Sequence, residues 1–429
     1  MNFFNRKRKT GAEDLRRLAE ALLSGRGEAS GVAIACQLLS AYGDAEPDAR
    51  VAFLKILAVQ FGADATRIAQ AIARFQAKPS PDAELDLHMA AEPRRQELIR
   101  RINLAPGGTA GLVRLREDLV FALPAHPELD VVDRDFVHLF SSWFNRGFLM
   151  LKRIDWTTPA HILEKIIRHE AVHEITGWDD LRRRIEPADR RCFAFFHPTL
   201  IDEPLIFVEV ALTDGVPAAI APLLAADRQP IARDREKTAV FYSISNCQAG
   251  LRGVSFGNFL IKQVVEELRR ELPSLGKFAT LSPVPGFAKW LAAERESQSP
   301  AFLTAEDRAR LMAIDASSWQ SELAAVKALG PLLHEAVAQY LLQAKAPSGK
   351  PADPVARFHL DNGARLDRVN WLGDVSPRGM ASALGFMVNY LYDPAEIEKN
   401  HEAFAQSGAL AASHAVKKLL REKPARAPR

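Results

Sequence analysis

The sequence predicts an α + α/β chain: an all-helical bundle over residues 1–143, then an α/β domain with a mixed β-sheet over residues 144–429. Three observations predict it. The first part carries apolar residues at helical spacing and almost no strand-like alternation. Aromatic and β-branched runs begin only near Asn145. From there, strand-like and amphipathic helical segments interleave. A chain of 429 residues is also too long for one simple core, which favours two or more domains.

Each element has its own signal. AEDLRRLAEALLSG (12–25) has helical spacing and a Gly stop, and SGVAIACQLLSAYG (30–43) repeats that logic with Ser30 as N-cap. EPDARVAFLKILAVQFG and DATRIAQAIARFQA follow, then a charged helix around AEPRRQELIRRI, a Gly-rich break at PGGTAG, and a helix ending in DRDFVHLFSSWF. Short Gly/Pro connections between such helices suit a bundle of antiparallel neighbours. Beyond Asn145, FLMLKRIDW reads as a strand and TPAHILEKIIRHEA as a helix with Thr158 as N-cap and Pro159 at its first position. WDDLRRRI is a second helix. CFAFFHP, LIFVEVALT and TAVFYSIS are strands, FGNFLIKQVVEELRREL an amphipathic helix, KFATLS a further strand and GFAKWLAAE a short helix. More helices follow, with an extended piece near VARFHLDNGA.

The order β-α-α-β-β-β-α-β-α is that of the GNAT acyl-CoA-binding fold. An analogy of fold fixes architecture and not chemistry. It does point to the turn NCQAGLRGVSFGN (246–258) as the place for a CoA pyrophosphate, since free N–H groups and the dipole at a helix start favour anions. Gly250, Gly253 and Gly257 would let backbone approach phosphate, and Arg252 adds a cation. The same letters equally describe a glycine turn with no ligand.

One short motif competes for attention. His169, Glu170 and His173 in HEAVH match H-E-x-x-H, which on a continuous helix sets two imidazoles on one face for zinc. Thr176-Gly177 stops the helix directly, and no third His follows at a useful spacing. We therefore expect no metal site there.

Composition narrows the class. Net charge is +3, with basic residues concentrated in NRKRK and REKPARAPR at the two ends, so no nucleic-acid partner is expected. No apolar run has membrane-spanning length, and MNFFNRKRKT lacks an apolar stretch after its basic residues; neither a membrane span nor a signal peptide is expected. Cys36, Cys192 and Cys247 are odd in number and widely spaced, which fits a reducing compartment. The chain does not end in S-K-L, and the cytoplasm is the expected location.

Four stretches together resemble the malonyl-CoA decarboxylase family: RRCFAFFHPTLIDEPLIFVEVALT (190–213), FYSISNCQAGLRGVSFGNFLIKQVV (241–265), TLSPVPGFAKWL (280–291) and ARFHLDNGARLDRVNWLGDVSPRGMASALGFMVNYLYD (356–393). The resemblance implies a helical N-terminal domain used in tetramer assembly and a GNAT-like catalytic domain. It implies a catalytic Ser282 in L-S-P-x-P-G-F, a catalytic His359 in F-H-L-x-N-G-A and an active-site Tyr392 in M-x-N-Y-x-Y. It further implies a malonyl-CoA loop made of Arg252, Gly253, Val254, Ser255, Phe256, Gly257 and Asn258. Ser255 departs from the family, since animal relatives have a Glu there, so no carboxylate role carries over; its hydroxyl can still cap a helix. Read without the resemblance, Ser282 before Pro283 also suits a turn, and His359 between Phe358 and Leu360 also suits a bonded core histidine in an apolar strand.

The implied chemistry is self-consistent. Malonyl-CoA carries a carboxylate β to a thioester, and loss of CO2 leaves the enolate of acetyl-CoA. The thioester is the electron sink, so no cofactor is needed. The protein must orient the carboxylate, stabilise charge on the carbonyl oxygen and protonate carbon. His359 is the expected proton donor, as an imidazole titrating near neutrality, with Ser282 as hydrogen-bond donor and Tyr392 in support. The alternatives on the same fold are an acyltransferase and an inactive CoA-binding scaffold.

Overall fold

The computed structural model describes residues 10–24, 27–254, 260–315 and 319–421. The chain divides into two compact units. The first holds Met1–Met150 with Phe196–Leu205 and Asn246–Phe256; the second holds Leu151–Phe195, Ile206–Ser245 and Gly257–Arg429.

The first unit is helical: α1 (Ala12–Leu23), α2 (Glu28–Asp44), α3 (Pro47–Gln60), α4 (Ala65–Ala77), α5 (Pro81–Ala91), α6 (Arg94–Asn103), α7 (Gly108–Ala122) and α8 (Asp130–Trp143). Its starts follow capping chemistry. The Asp64 carboxylate accepts from Thr66 and Arg67 N–H at the head of α4, and Ser80 does the same for Ala83 before Pro81 opens α5. The apolar stripes bury Leu15, Phe53, Leu57, Leu98, Leu119, Phe136 and Phe140 completely or nearly so. Two local expectations change. Ser30 lies inside α2 rather than capping it, and PGGTAG is largely the first turn of α7 rather than a break. Gly111 faces Leu39 so closely that a Cβ would lie 2.5 Å from its Cδ2, so glycine serves helix packing here.

The second unit carries a mixed eight-stranded sheet. The elements are β1 (Met150–Ile154), α9 (Ala160–His169), α10 (Trp178–Ile185), β2 (Arg190–Phe196), β3 (Pro204–Thr213), α11 (Ala221–Leu224), β4 (Thr238–Asn246), α12 (Leu260–Glu271), β5 (Lys277–Thr280), β6 (Ser282–Pro283) and α13 (Phe287–Glu296). Then follow α14 (Ala305–Leu311), α15 (Leu323–Leu342), α16 (Pro354–Asp361), β7 (Arg365–Asn370), α17 (Pro377–Ala383), β8 (Met387–Leu391), α18 (Ile397–Ser407) and α19 (His414–Lys417). The strand order is β1-β2-β3-β4-β5-β8-β6, with β7 also paired to β8. β4 and β5 run parallel, whereas β8 is antiparallel to β5, β6 and β7. β2 is buried along its whole length, which its near-continuous apolar run requires.

Two sequence expectations fail here for identifiable reasons. Pro159, not Thr158, is the N-cap of α9, and the Thr158 hydroxyl instead accepts from Asp155 N–H at 3.1 Å. The piece around His359 is a helix, not extended chain. Asp353 accepts from Ala356 N–H at 2.8 Å and Pro354 sits at the first position, which is a helix-start signature stronger than the local apolar alternation. Among the described residues no helix is long and apolar enough to cross a membrane.

Candidate active site

β6, α16 and the end of β8 bring Ser282, His359 and Tyr392 together. Ser282 Oγ lies 3.0 Å from His359 Nε2, and His359 Nδ1 lies 2.8 Å from the Tyr392 hydroxyl. Exposure is 6% for Ser282, 2% for His359 and 0% for Tyr392, so the chain runs inward from the serine. Ser282 donates its one proton to Thr280 Oγ1 at 2.9 Å, which leaves its oxygen to accept from the imidazole. The histidine is thereby held as the Nε2–H tautomer, and Nδ1 accepts from Tyr392.

Sequence reasoning did not single out the residues beneath this chain. Thr280 Oγ1 also accepts from Tyr390 N–H at 3.1 Å, and the fully buried Asn389 donates to the Thr280 carbonyl at 2.7 Å. The Tyr390 ring stacks on His359 at 4.5 Å between centroids. The period of two along an extended chain was the available signal: Thr280 and Ser282 share a face, as do Tyr390 and Tyr392. Burial pushes His359 down to about 3, so its imidazole is neutral at physiological pH, and it pushes the Tyr392 phenol well up. This corrects the expectation of an imidazole titrating near neutrality.

Of the expected malonyl-CoA loop, Arg252, Gly253 and Val254 are described; Ser255, Phe256, Gly257 and Asn258 lie outside the described residues. Leu251 and Val254 are buried, while Arg252 and Gly253 face outward. Gly253 has φ +77° with open space around it, a left-handed conformation that glycine adopts without strain. Gly250 differs from the expectation: a Cβ there would lie 1.9 Å from the Val113 carbonyl oxygen, so its close approach is to helix α7.

HEAVH does not form a two-histidine helix face. α9 ends at His169, and Glu170 is its C-cap. The Glu170 carboxylate accepts from Val172 and His173 N–H and from the Ser243 and Ser245 hydroxyls, all within 3.1 Å. His173 lies beyond the helix, and burial pushes it down to about 4. The motif is a loop closed by its own carboxylate. His197 sits between Thr199 Oγ1 at 2.7 Å and the Trp143 carbonyl at 3.0 Å.

Comparison with known families decides the assignment. The malonyl-CoA decarboxylase C-terminal domain profile matches residues 147–428, and the N-terminal domain profile of the same family matches residues 61–144. The chain belongs to the malonyl-CoA decarboxylase family. The crystal structure of malonyl-CoA decarboxylase from Rhodopseudomonas palustris is 60% identical, covers 95% of this chain and 99% of its own, and superimposes with a TM-score of 0.93. The enzyme from Agrobacterium vitis is 57% identical over 95% of this chain and 100% of its own, with a TM-score of 0.89. A relative in Anser anser anser, named malonyl-CoA decarboxylase, mitochondrial, is 38% identical over 86% of this chain and 79% of its own length.

This malonyl-CoA decarboxylase family member is therefore an enzyme, a carboxy-lyase, with the family's helical bundle followed by a mixed-sheet catalytic domain. The cytoplasmic expectation is overturned, because the curated relatives are named as mitochondrial enzymes. That expectation rested on the missing S-K-L end and on the lack of an apolar leader as the sign of a targeting segment. Mitochondrial address segments are Arg-rich and amphipathic instead, so the criterion does not read them.

Proposed function

We propose that malonyl-CoA is converted to acetyl-CoA and CO2 by Ser282, His359 and Tyr392 acting without a cofactor. The observation that carries this reading is the buried chain from Ser282 through His359 to Tyr392. As the acyl group arrives, Ser282 turns its O–H from Thr280 to the malonyl carboxylate or thioester oxygen and frees the Nε2–H. The carboxylate C–C bond breaks, its electron pair enters the thioester as an enolate, and CO2 leaves. The α-carbon then takes the Nε2 proton. A neutral imidazole is a competent donor to a base as strong as an enolate, as neutral histidine electrophiles elsewhere illustrate. Tyr392 holds Nδ1 and hence the tautomer. One solvent proton per turnover restores the chain, which balances the reaction.

The loop Arg252–Asn258 binds the CoA thioester in this reading, with the Arg252 cation as an anchor for its phosphates. The helical domain, residues 1–143, serves assembly into a homotetramer. Support for that comes from apolar side chains left open on it, among them Val59 at 81% and Phe121 at 66% exposure. We assign residues 144–429 to catalysis and no nucleic-acid partner to either part.

The test is CO2 release from malonyl-CoA with no acyl acceptor present. Acetyl-CoA and CO2 are expected in equal amounts, and His359→Asn is expected to lower kcat about a hundredfold or more. A near-normal His359→Asn rate would remove the histidine from the chemistry.

A further inference from the structure

We infer that Arg116, on helix α7, is a positioning residue for Arg252 and Gly253, the described start of the malonyl-CoA loop, so that the helical part of the chain sets substrate affinity as well as any assembly. The inference rests on the reading of Arg252–Asn258 as that loop. Arg116 is 2% exposed, and its Nη1 donates to the Gly250 carbonyl at 2.7 Å. Its Nε donates to Asp133 at 2.9 Å, so the guanidinium is paired as well as bonded. A buried cation is tolerated only with such a partner, and a buried carbonyl left without a donor is costly.

A second contact fixes the same point of the chain. Gly250 lies so near α7 that a Cβ would be 1.9 Å from the Val113 oxygen, one helical turn from Arg116 on the same helix. The segment's start is tied separately, by Cys247 N–H to the Leu205 carbonyl at 2.9 Å and Gln248 Nε2 to the Pro204 carbonyl at 3.1 Å. Arg252 and Gly253 follow Gly250 by two and three residues and face outward. Arg116 and Val113 therefore set the height and tilt of the backbone from which Arg252 projects. None of Ser282, His359 or Tyr392 is built on this segment. Loss of the clamp should weaken substrate binding in ground and transition states alike, which appears in KM rather than kcat.

The experiment is steady-state CO2 release by the full chain carrying Arg116→Met, Arg116→Lys, Gly250→Ala or Arg252→Ala. Arg116→Met is expected to raise KM for malonyl-CoA about tenfold with kcat within about twofold, since it deletes the charged hydrogen bond that holds the Gly250 carbonyl. Arg116→Lys, which keeps a cation and a donor, should recover most of that loss. Gly250→Ala leaves the Arg116–Asp133 pair in place and should raise KM in the same direction; it decides the matter if Arg116→Met does not fold. Unchanged KM in Gly250→Ala, or a fall in kcat at constant KM, overturns the inference. Arg252→Ala separates the two levels. If it leaves KM unchanged, the loop reading fails. If it raises KM while Gly250→Ala does not, the loop reading stands and the clamp is refuted.

Discussion

At the scale of single residues, the decisive fact is that His359 is neutral. Its ring is enclosed by Tyr390, Phe358 and Tyr392, and burial alone holds it near 3, far below the ordinary 6.5. An imidazole whose charge does not change between pH 5.5 and 7.5 cannot impose a titration on the rate there. We therefore expect kcat at saturating malonyl-CoA to show no histidine limb in that interval. A rate changing about tenfold per pH unit on one side of 6.5 would show that the working histidine is not held this way. The three side chains that meet here were named from the sequence through the resemblance carried by TLSPVPGF, FHLDNGA and MVNYLY. The charge of His359 was not legible there, because two of the three rings around it, Tyr390 and Tyr392, lie more than thirty positions away. Thr280 shows the same limit: its period-two relation to Ser282 was readable, but its second bond, to Tyr390 N–H, depends on how β8 enters the sheet.

At the scale of elements, α16 is the part that sequence reasoning misassigned and on which the site depends. Val355, Phe358 and Leu360 suggested an apolar extended segment, while the start signal Asp353-Pro354 and the stop signal Gly363 both pointed to a helix. Gly363 has φ +79°, and a Cβ there would lie 2.1 Å from the Ile397 carbonyl of α18. The next residue, Ala364, closes the helix end by donating to the His359 carbonyl at 3.0 Å. Gly363→Ala is therefore expected to cost about 1–3 kcal/mol of stability from backbone strain, and to lower kcat because the clash with α18 displaces His359. Urea unfolding together with CO2 release checks both; a variant of wild-type stability and rate would detach α16 and its proposed role from α18. The HEAVH segment is the converse case. Its letters matched a functional motif, yet the helix ends at His169 and Glu170 turns back on the loop.

At the scale of the whole molecule, buried ionisable groups oppose one another. His359 and His173 are held near 3 and 4, so below pH 6.5 the unfolded chain binds protons that the native state does not, and acid destabilises the fold. Glu209 and Asp353 shift the other way, Glu209 upward and Asp353 to about 6, chiefly by burial. For each carboxyl the native state binds the extra proton, so its contribution falls as pH rises from the unfolded value towards the folded one. Between pH 4.5 and 6 the two histidines and the two carboxyls therefore act with opposite sign on stability. The histidine side of this opposition is testable by removing one member. His359→Asn deletes a group whose cost to the native state grows by about 1.4 kcal/mol for each pH unit below 6.5. Denaturant unfolding of both proteins at pH 7.5 and pH 5 should show the variant gaining about 2 kcal/mol relative to wild type at the lower pH, whatever their difference at the higher one. A difference independent of pH would mean that His359 takes up its proton in the native state as readily as in the unfolded chain, and the neutral imidazole on which the proposed proton transfer depends would be lost with it.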